Sequence, residues 1–448
     1  MKKTILYDLT PSQQLMYYSV KYSIKKSVVN IGVSIWIKDK IDIPLLKEAI
    51  YIAISRMDAL RIRLTEEENI TKQYISMDEP KETKVYDFSK LTTEKIDNKL
   101  AKWTRKTEKY IECDLYDIAI IKGPDDETII YFKVNHIIMD AWALTVFTKD
   151  ILDIYIGIKD NKALSEAPTS FIELVKSDLK YTTSRKREKD YEFWKDTFNT
   201  PPSYAAISKE NVGKPFRSLS LSSKSKLKVI TLEKEKVSKI KKFCRENRLS
   251  PQILFLLGSQ CYFYLLNNKY ETIVNNSLAR RSTISSKRAG GMMVNSLPFK
   301  VKCSRDSSFI ETCNKLTIDQ MFLFKHGDFP YQDIMAYIKE QYPVKETAYS
   351  YTDMCFTYQL AKINSESDIK YSVKSYSNGI SAMGLYLTIM DVSDAGTLDF
   401  LFEYTLSVVK EEVIYKIYKL MIRVIELGIN MPEISIGEIL DLVKGEIE

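Results

Sequence analysis

Histidine is almost missing from this chain: His136 and His326 are the only two in 448 residues. Proton transfer near neutral pH must use one of them, or a carboxylate or thiol with a displaced pKa. The six cysteines, Cys113, Cys244, Cys261, Cys303, Cys313 and Cys355, form no CxxC pair. No zinc site or other metal site can be built from that spacing, and reduced thiols fit a chain of this size better than a disulfide framework. Long apolar runs are also lacking. The most apolar stretch, Ile253 to Leu266, is too short to span a bilayer and is broken by Gly258, Ser259 and Gln260. The opening MKKTILYDLTPSQQ is basic, but little apolar sequence follows and no small-residue cleavage site, so a cytoplasmic protein that does not enter membranes is expected. Charge of one sign is not concentrated anywhere: 66 − 59 leaves +7, spread along the chain, which argues against nucleic acid as partner.

What is present is the composition of a soluble globular protein, 45% hydrophobic and 28% charged. The length suits two large domains. Helical spacing predicts an opening helix capped by Thr10 or Ser12 and running to about Ile24, and further helices near 44–56, 92–104, 139–156, 234–246, 250–267, 307–326, 329–339 and 409–427. Strands are expected at 30–38, 60–64, 116–122, 128–134, 226–232, 271–277, within MMVNSLPFKVK, and near 350–359, 383–391 and 398–405. The acid- and lysine-rich stretch 66–110 is otherwise hard to place. The most polar segment, 160–190, reads as a bridge between two halves, each with helices and strands interleaved.

The densest chemical signal is IIYFKVNHIIMDAWAL at 129–144. An apolar strand runs into His136, and Asp140 follows at the mouth of a helix. A histidine held at a strand end can accept a proton from an attacking amine or hydroxyl, or hold that nucleophile beside an electrophilic carbon. Asp140 can orient His136, or pair with a cation and lock the turn. The plainer reading of the two residues is a half-buried histidine closing a strand and an ordinary helix-capping aspartate. His326, at a helix exit before Pro330, reads as structural. Arg61 and Arg63 alternate with apolar residues and suit either the surface or a phosphate contact. Tyr191, Phe193 and Trp194 read as packing residues.

NHIIMDAW resembles the HHxxxDG signature of nonribosomal peptide synthetase condensation domains, a branch of the CoA-dependent acyltransferase superfamily that includes chloramphenicol acetyltransferase. Further motifs are similar to that family's and stand in its order: LTPSQQLMYY at 9–18, SRMDALRIRL at 55–64, the Tyr191–Trp194 region, GGMMVNSLPFK at 290–300 and KHGDFPYQDI at 325–334. The chain departs from the signature at Asn135, in place of the first histidine, at Ala141, in place of the closing glycine, and at Met57, in place of a histidine in the second motif.

The resemblance implies an α/β fold of two chloramphenicol acetyltransferase-like lobes, residues 1–180 and 181–448, in a V-shaped pseudo-dimer with a central tunnel. It implies that His136 is catalytic, supported by Asp140, Arg280, Asn135 and Ala141, with Arg280 bridging to Asp140. Arg281 and Arg288 are left as surface candidates. Trp142 and Asn295 are possible tunnel-lining residues, although packing suffices for Trp142 and a structural hydrogen bond for Asn295. It further implies amide formation by a monomer with no permanently bound cofactor. An acyl or peptidyl carrier protein would deliver the donor on its phosphopantetheine arm to an amine acceptor, carrier-bound or soluble. Transfer to a soluble amine or alcohol, from acyl-CoA among other donors, is a related reading. An inactive scaffold that recruits carrier or tailoring proteins is a different one.

Overall fold

The computed structural model describes residues 5–107, 109–202, 204–212, 224–343, 351–360, 368–391 and 396–446. The basic opening at 1–4 and residue 350, the expected start of one strand, lie outside them. The chain divides into two compact units. One comprises Met1–Lys186, Ala279–Val294 and Ala361–Ile380, and the other Arg187–Leu278, Asn295–Leu360 and Ser381–Glu448. The division expected at 180/181 falls in the last turn of a helix, Phe171–Tyr181, because the polar bridge folds as two amphipathic helices, the second being Arg185–Thr197.

In the first unit the strands Tyr371–Tyr376, Asn30–Ile37, Thr128–Asn135, Tyr116–Lys122 and Lys84–Asp87 lie side by side in that order. All neighbours are antiparallel except the last pair. Thr128–Asn135 is buried along both faces up to its final residue, so it reads as a continuous apolar run instead of an alternating one. Ile130, Phe132 and Val134 join the core beneath the helices Ile43–Arg56 and Ala141–Lys159, while Ile129 and Tyr131 pack on the other face with Ile96 and Leu100 of the helix Thr93–Thr104. A second sheet of three short strands, Tyr7–Asp8, Ile70–Ile75 and Ile62–Glu67, completes the unit.

The second unit holds a six-stranded sheet in the order Asn295–Lys302, Glu271–Leu278, Met354–Gln359, Leu385–Met390, Leu398–Thr405 and Ser225–Leu232. Met354–Gln359 runs parallel to both neighbours, and the remaining pairs are antiparallel. The apolar stretch near 253–266 is the interior of the helix Pro251–Asn267, whose residues from Ile253 to Tyr264 are all buried. Gly258 lets that helix approach Glu411–Asn430: a Cβ there would sit 2.7 Å from Met421 Cγ and 3.0 Å from its carbonyl oxygen. Among the described residues no single helix is long and apolar enough to cross a membrane.

Candidate active site

The strand Thr128–Asn135 ends in a turn fixed by its own backbone. The Asn135 N–H donates to the Leu115 carbonyl and the His136 N–H to the Val29 carbonyl, each at 2.8 Å. Asn135 then closes the turn with its side chain, Oδ1 accepting from the Ile137 N–H at 3.0 Å. An amide serves this purpose as well as an imidazole, so the departure from the signature at Asn135 leaves the turn intact. Four residues after His136, Asp140 is the N-cap of the helix Ala141–Lys159, with Oδ1 accepting from the Ala143 N–H at 2.8 Å. Ala141 is the first helical residue, a backbone conformation that imposes no strain on a methyl-bearing side chain.

Asp140 is buried and its partner is Arg281. Arg281 Nη2 donates to both carboxylate oxygens, at 3.0 and 3.1 Å, and the Met293 N–H donates to Oδ2 at 3.0 Å. The guanidinium is itself buried and also donates to the carbonyls of Ser286 and Gly291 at 2.9 Å. The expected Asp140–Arg280 pair is therefore corrected by one residue, and Arg281 is not a surface arginine. The cause is the backbone at Arg280, whose φ of +55° turns its side chain away to a two-bond pair with Asp178, leaving Arg281 to face the helix cap. In the same loop Gly291 takes a φ of +106° beside the Phe171 ring, where a Cβ would lie 2.0 Å from a ring carbon. Met57, the other departure, is buried against Gly290.

His136 keeps partial exposure, yet its Nδ1 is buried and has no hydrogen-bond partner among the described residues. Burial pushes the imidazole below its ordinary pKa, and the Asp140 carboxylate and the backbone of His136 and Met139 pull the other way. The lowered pKa favours the neutral ring at pH 7, the form that carries one acceptor nitrogen. Asp140 thus acts on His136 through charge and through the fixed turn; its own oxygens are occupied by Arg281 and by the backbone of Ala143 and Met293.

Of the other expected site residues, Trp142 docks on the same loop, Nε1 donating to the Lys287 carbonyl at 2.9 Å. Asn295 lies in the second unit and its amide is used structurally. Nδ2 donates to the carbonyls of Gly327 and Phe329 at 2.9 and 2.7 Å, and Oδ1 accepts from the Tyr331 N–H at 3.3 Å. His326 is structural, with Nδ1 2.8 Å from Asp190 Oδ1 and the ring stacked on Phe193 at 4.1 Å. Trp194 is fully buried beside it. Arg63 is buried too and paired with Asp114.

Gln13 is the residue that pattern reading passed over. It is wholly buried and exchanges two hydrogen bonds with the equally buried Gln73, at 2.8 and 2.7 Å. Nε2 also donates to the Ile137 carbonyl at 3.2 Å, and Oε1 accepts from the Thr10 N–H at 3.0 Å within a capping box. The opening helix is thereby tied to the His136 turn. The polar run Ser12–Gln13–Gln14 inside LTPSQQLMYY was the available signal. Replacing Gln13 by Leu removes the donor to the Ile137 carbonyl and to Gln73 Oε1, while Gln73 Nε2 keeps the Asp8 carbonyl, and should cost about 1–3 kcal/mol. A urea unfolding midpoint equal to that of wild type would contradict this.

The family model described as "Condensation domain" matches residues 3–446, and the chain belongs to that family. It is 26% identical over 452 residues to surfactin synthase subunit 1 of Bacillus subtilis (strain 168), covering 99% of this chain and 12% of that protein. To the dimodular nonribosomal peptide synthase of the same organism it is 22% identical over 440 residues, 93% of this chain and 18% of the relative. The chain thus spans a small fraction of the curated relatives it matches. Among solved structures, the starter condensation domain of rhizomide synthetase, in complex with C8-CoA and Leu-SNAC, superposes with a TM-score of 0.84 at 14% identity, over 96% of each chain. The first condensation domain of the calcium-dependent antibiotic synthetase gives 0.83 at 15% identity, over 97% of this chain and 98% of that one. The fold is accordingly the mixed α/β fold of condensation domains, and the family's chemistry is amide-forming acyl transfer in nonribosomal peptide synthesis.

Proposed function

We propose that the protein condenses an acyl, aminoacyl or peptidyl thioester, delivered on the phosphopantetheine arm of a carrier protein, with an amine acceptor. The observation that carries this reading is a half-buried His136 on a turn immobilised by Asp140 and Arg281, where burial favours the neutral imidazole. The acceptor nitrogen attacks the thioester carbonyl carbon, forming the C–N bond. Its proton passes to the unprotonated nitrogen on the exposed side of the His136 ring as the tetrahedral intermediate forms. The intermediate collapses, the C–S bond breaks, and the thiolate takes the proton from the imidazolium. Most of the rate gain comes from holding two reactants together, with the histidine adding proton transfer. The thiol and its arm belong to the carrier, so the protein needs no permanent cofactor, and a cytoplasmic monomer suffices. The net charge of +7 suits acidic carriers.

Carriers loaded with a range of acyl and aminoacyl groups, and the corresponding acyl-CoA thioesters, test this when mixed with an amine panel and read by mass spectrometry. Amide from carrier-bound donors supports the reading. Amide from acyl-CoA alone moves the donor to a soluble thioester. No amide from any donor, with carrier binding retained, replaces the enzyme by a recruiting scaffold.

A further inference from the structure

The sheet of the second unit carries a polar patch that the mechanism leaves unused. Along Met354–Gln359 and Leu385–Met390 the side chains of Met354, Phe356, Leu385, Leu387 and Ile389 are buried in the core. The alternate positions therefore face the other way. On that face the register sets Asn275, Cys355 and Tyr386 side by side across three strands. Ser277 and Thr357 stand in the next row, Thr357 Oγ1 donating to Ser277 Oγ at 2.9 Å, and Ser296 pairs with Ser277 across the sheet.

The patch is uncharged and incompletely paired. Asn275 Nδ2 donates to the Tyr331 hydroxyl at 3.4 Å, and the Tyr331 N–H is itself held by Asn295 Oδ1. Asn275 Oδ1, in contrast, is buried and has no hydrogen-bond partner among the described residues. Burial pushes the Tyr331 and Tyr386 hydroxyls up, and the Cys355 thiol up to about 11, so all three stay protonated near pH 7. The carboxylate next in the row, Glu403, accepts from the Ser225 hydroxyl. Ser277, Ser296, Thr357, Tyr331 and Tyr386 keep partial exposure, which lets a solute reach the patch. A buried acceptor without a donor is costly, and a ligand N–H or O–H that meets it relieves that cost. An aliphatic group leaves the acceptor unmet, and a charged one is desolvated without a counter-charge.

We propose that this patch seats an uncharged hydrogen-bonding group of a reactant, a carboxamide or a hydroxyl, with Asn275 Oδ1 as the acceptor that selects it. Two sources share that chemistry: the side chain of the donor acyl group and that of the amine acceptor. Assigning the group to a reactant rests on the acyl-transfer reading; the preference for an uncharged polar group does not. Asn275 is thereby a specificity-determining residue and takes no part in bond making.

The test is equilibrium binding to the full chain, by calorimetry, with probes that differ only in a near-isosteric side chain: asparagine against leucine and aspartate, and threonine against valine. Each is presented as the N-acetylated aminoacyl thioester of N-acetylcysteamine, and separately as the free amine of its methylamide. The asparagine or threonine probe should bind about tenfold or more tighter than its apolar and charged counterparts. The preference within the thioesters assigns the donor, and within the amines the acceptor. Asn275→Leu should abolish it, and Tyr331→Phe, which removes the hydroxyl that orients the Asn275 amide, should weaken it about threefold. A residue that merely held the sheet would alter the affinity of all probes alike. Should Asn275→Leu fail to fold, Tyr331→Phe decides. Equal binding within every set, absence of binding included, or a preference untouched by the deciding variant, overturns the proposal. Because no turnover is read, the preference in a protein that makes no amide would retain the patch and remove the function proposed above, whereas amide formation without the preference would do the reverse.

Discussion

His136→Ala should lower amide formation by about 10²–10⁴-fold, the range over which a positioned acid–base group contributes. Its thermal unfolding should stay close to that of wild type, because the imidazole Nδ1 makes no hydrogen bond among the described residues and the turn is held by Asn135, Asp140 and the backbone of Val29. His326→Ala should show the opposite pattern, losing stability with its Asp190 contact and Phe193 stack while keeping turnover per folded molecule. Product analysis and thermal melts on the two variants separate these roles. Equal product from wild type and His136→Ala would leave proximity as the only catalytic device at this site.

Asp140→Ala should be among the most destabilising single changes in the first unit, at about 3–5 kcal/mol, because it strands a buried Arg281 guanidinium and uncaps a helix of 19 residues. The double-mutant cycle identifies the partner. Asp140→Ala combined with Arg281→Ala should cost less than the sum of the single changes, since each removes the charge that the other would leave unpaired. The combination with Arg280→Ala should be additive, because Arg280 answers to Asp178. Urea unfolding of the variants gives all the terms. Coupling of Asp140 to Arg280 and not to Arg281 would contradict the geometry.

The comparison of Arg280 with Arg281 shows where reading the chain as a sequence runs out. Elements driven by local patterning were legible. The strand 116–122 was placed to the residue, and the helices expected at 44–56 and 92–104 are observed at Ile43–Arg56 and Thr93–Thr104. His136 at a strand end and His326 at a helix exit were separable for the same reason. Which of two adjacent arginines meets Asp140 depends on one positive φ, and neither charge nor periodicity encodes that. The strand Tyr371–Tyr376 was missed because YSVKSY carries little apolar signal. It is stabilised from far away in sequence, Lys374 lying over the Trp36 ring and Tyr376 bonding to Ser34 and Asp97. Lys84–Asp87 was lost in the charged stretch because it is a short edge strand paired on one side only. The return of 279–294 and 361–380 to the first unit is likewise a matter of long-range pairing. The ordered motifs pointed to the family, and through it to His136, where spacing alone had left a proton acceptor and a strand-closing histidine beside a helix-capping aspartate both open.

The claim that His136 receives the amine proton as a neutral base is tested most directly by the pH dependence of a single turnover. The acceptor should be a weakly basic amine, so that its own protonation does not titrate in the window. Burial holds the imidazole below its ordinary 6.5. Since a lowered pKa keeps the base form populated to more acid pH, the rate should change little between pH 8 and 7.5 and should reach half its plateau value only below pH 6.5. His136→Ala should be slow throughout and lack the acid limb. A wild-type rate that has already reached half its plateau value at pH 7, or an acid limb that persists in His136→Ala, would contradict the account.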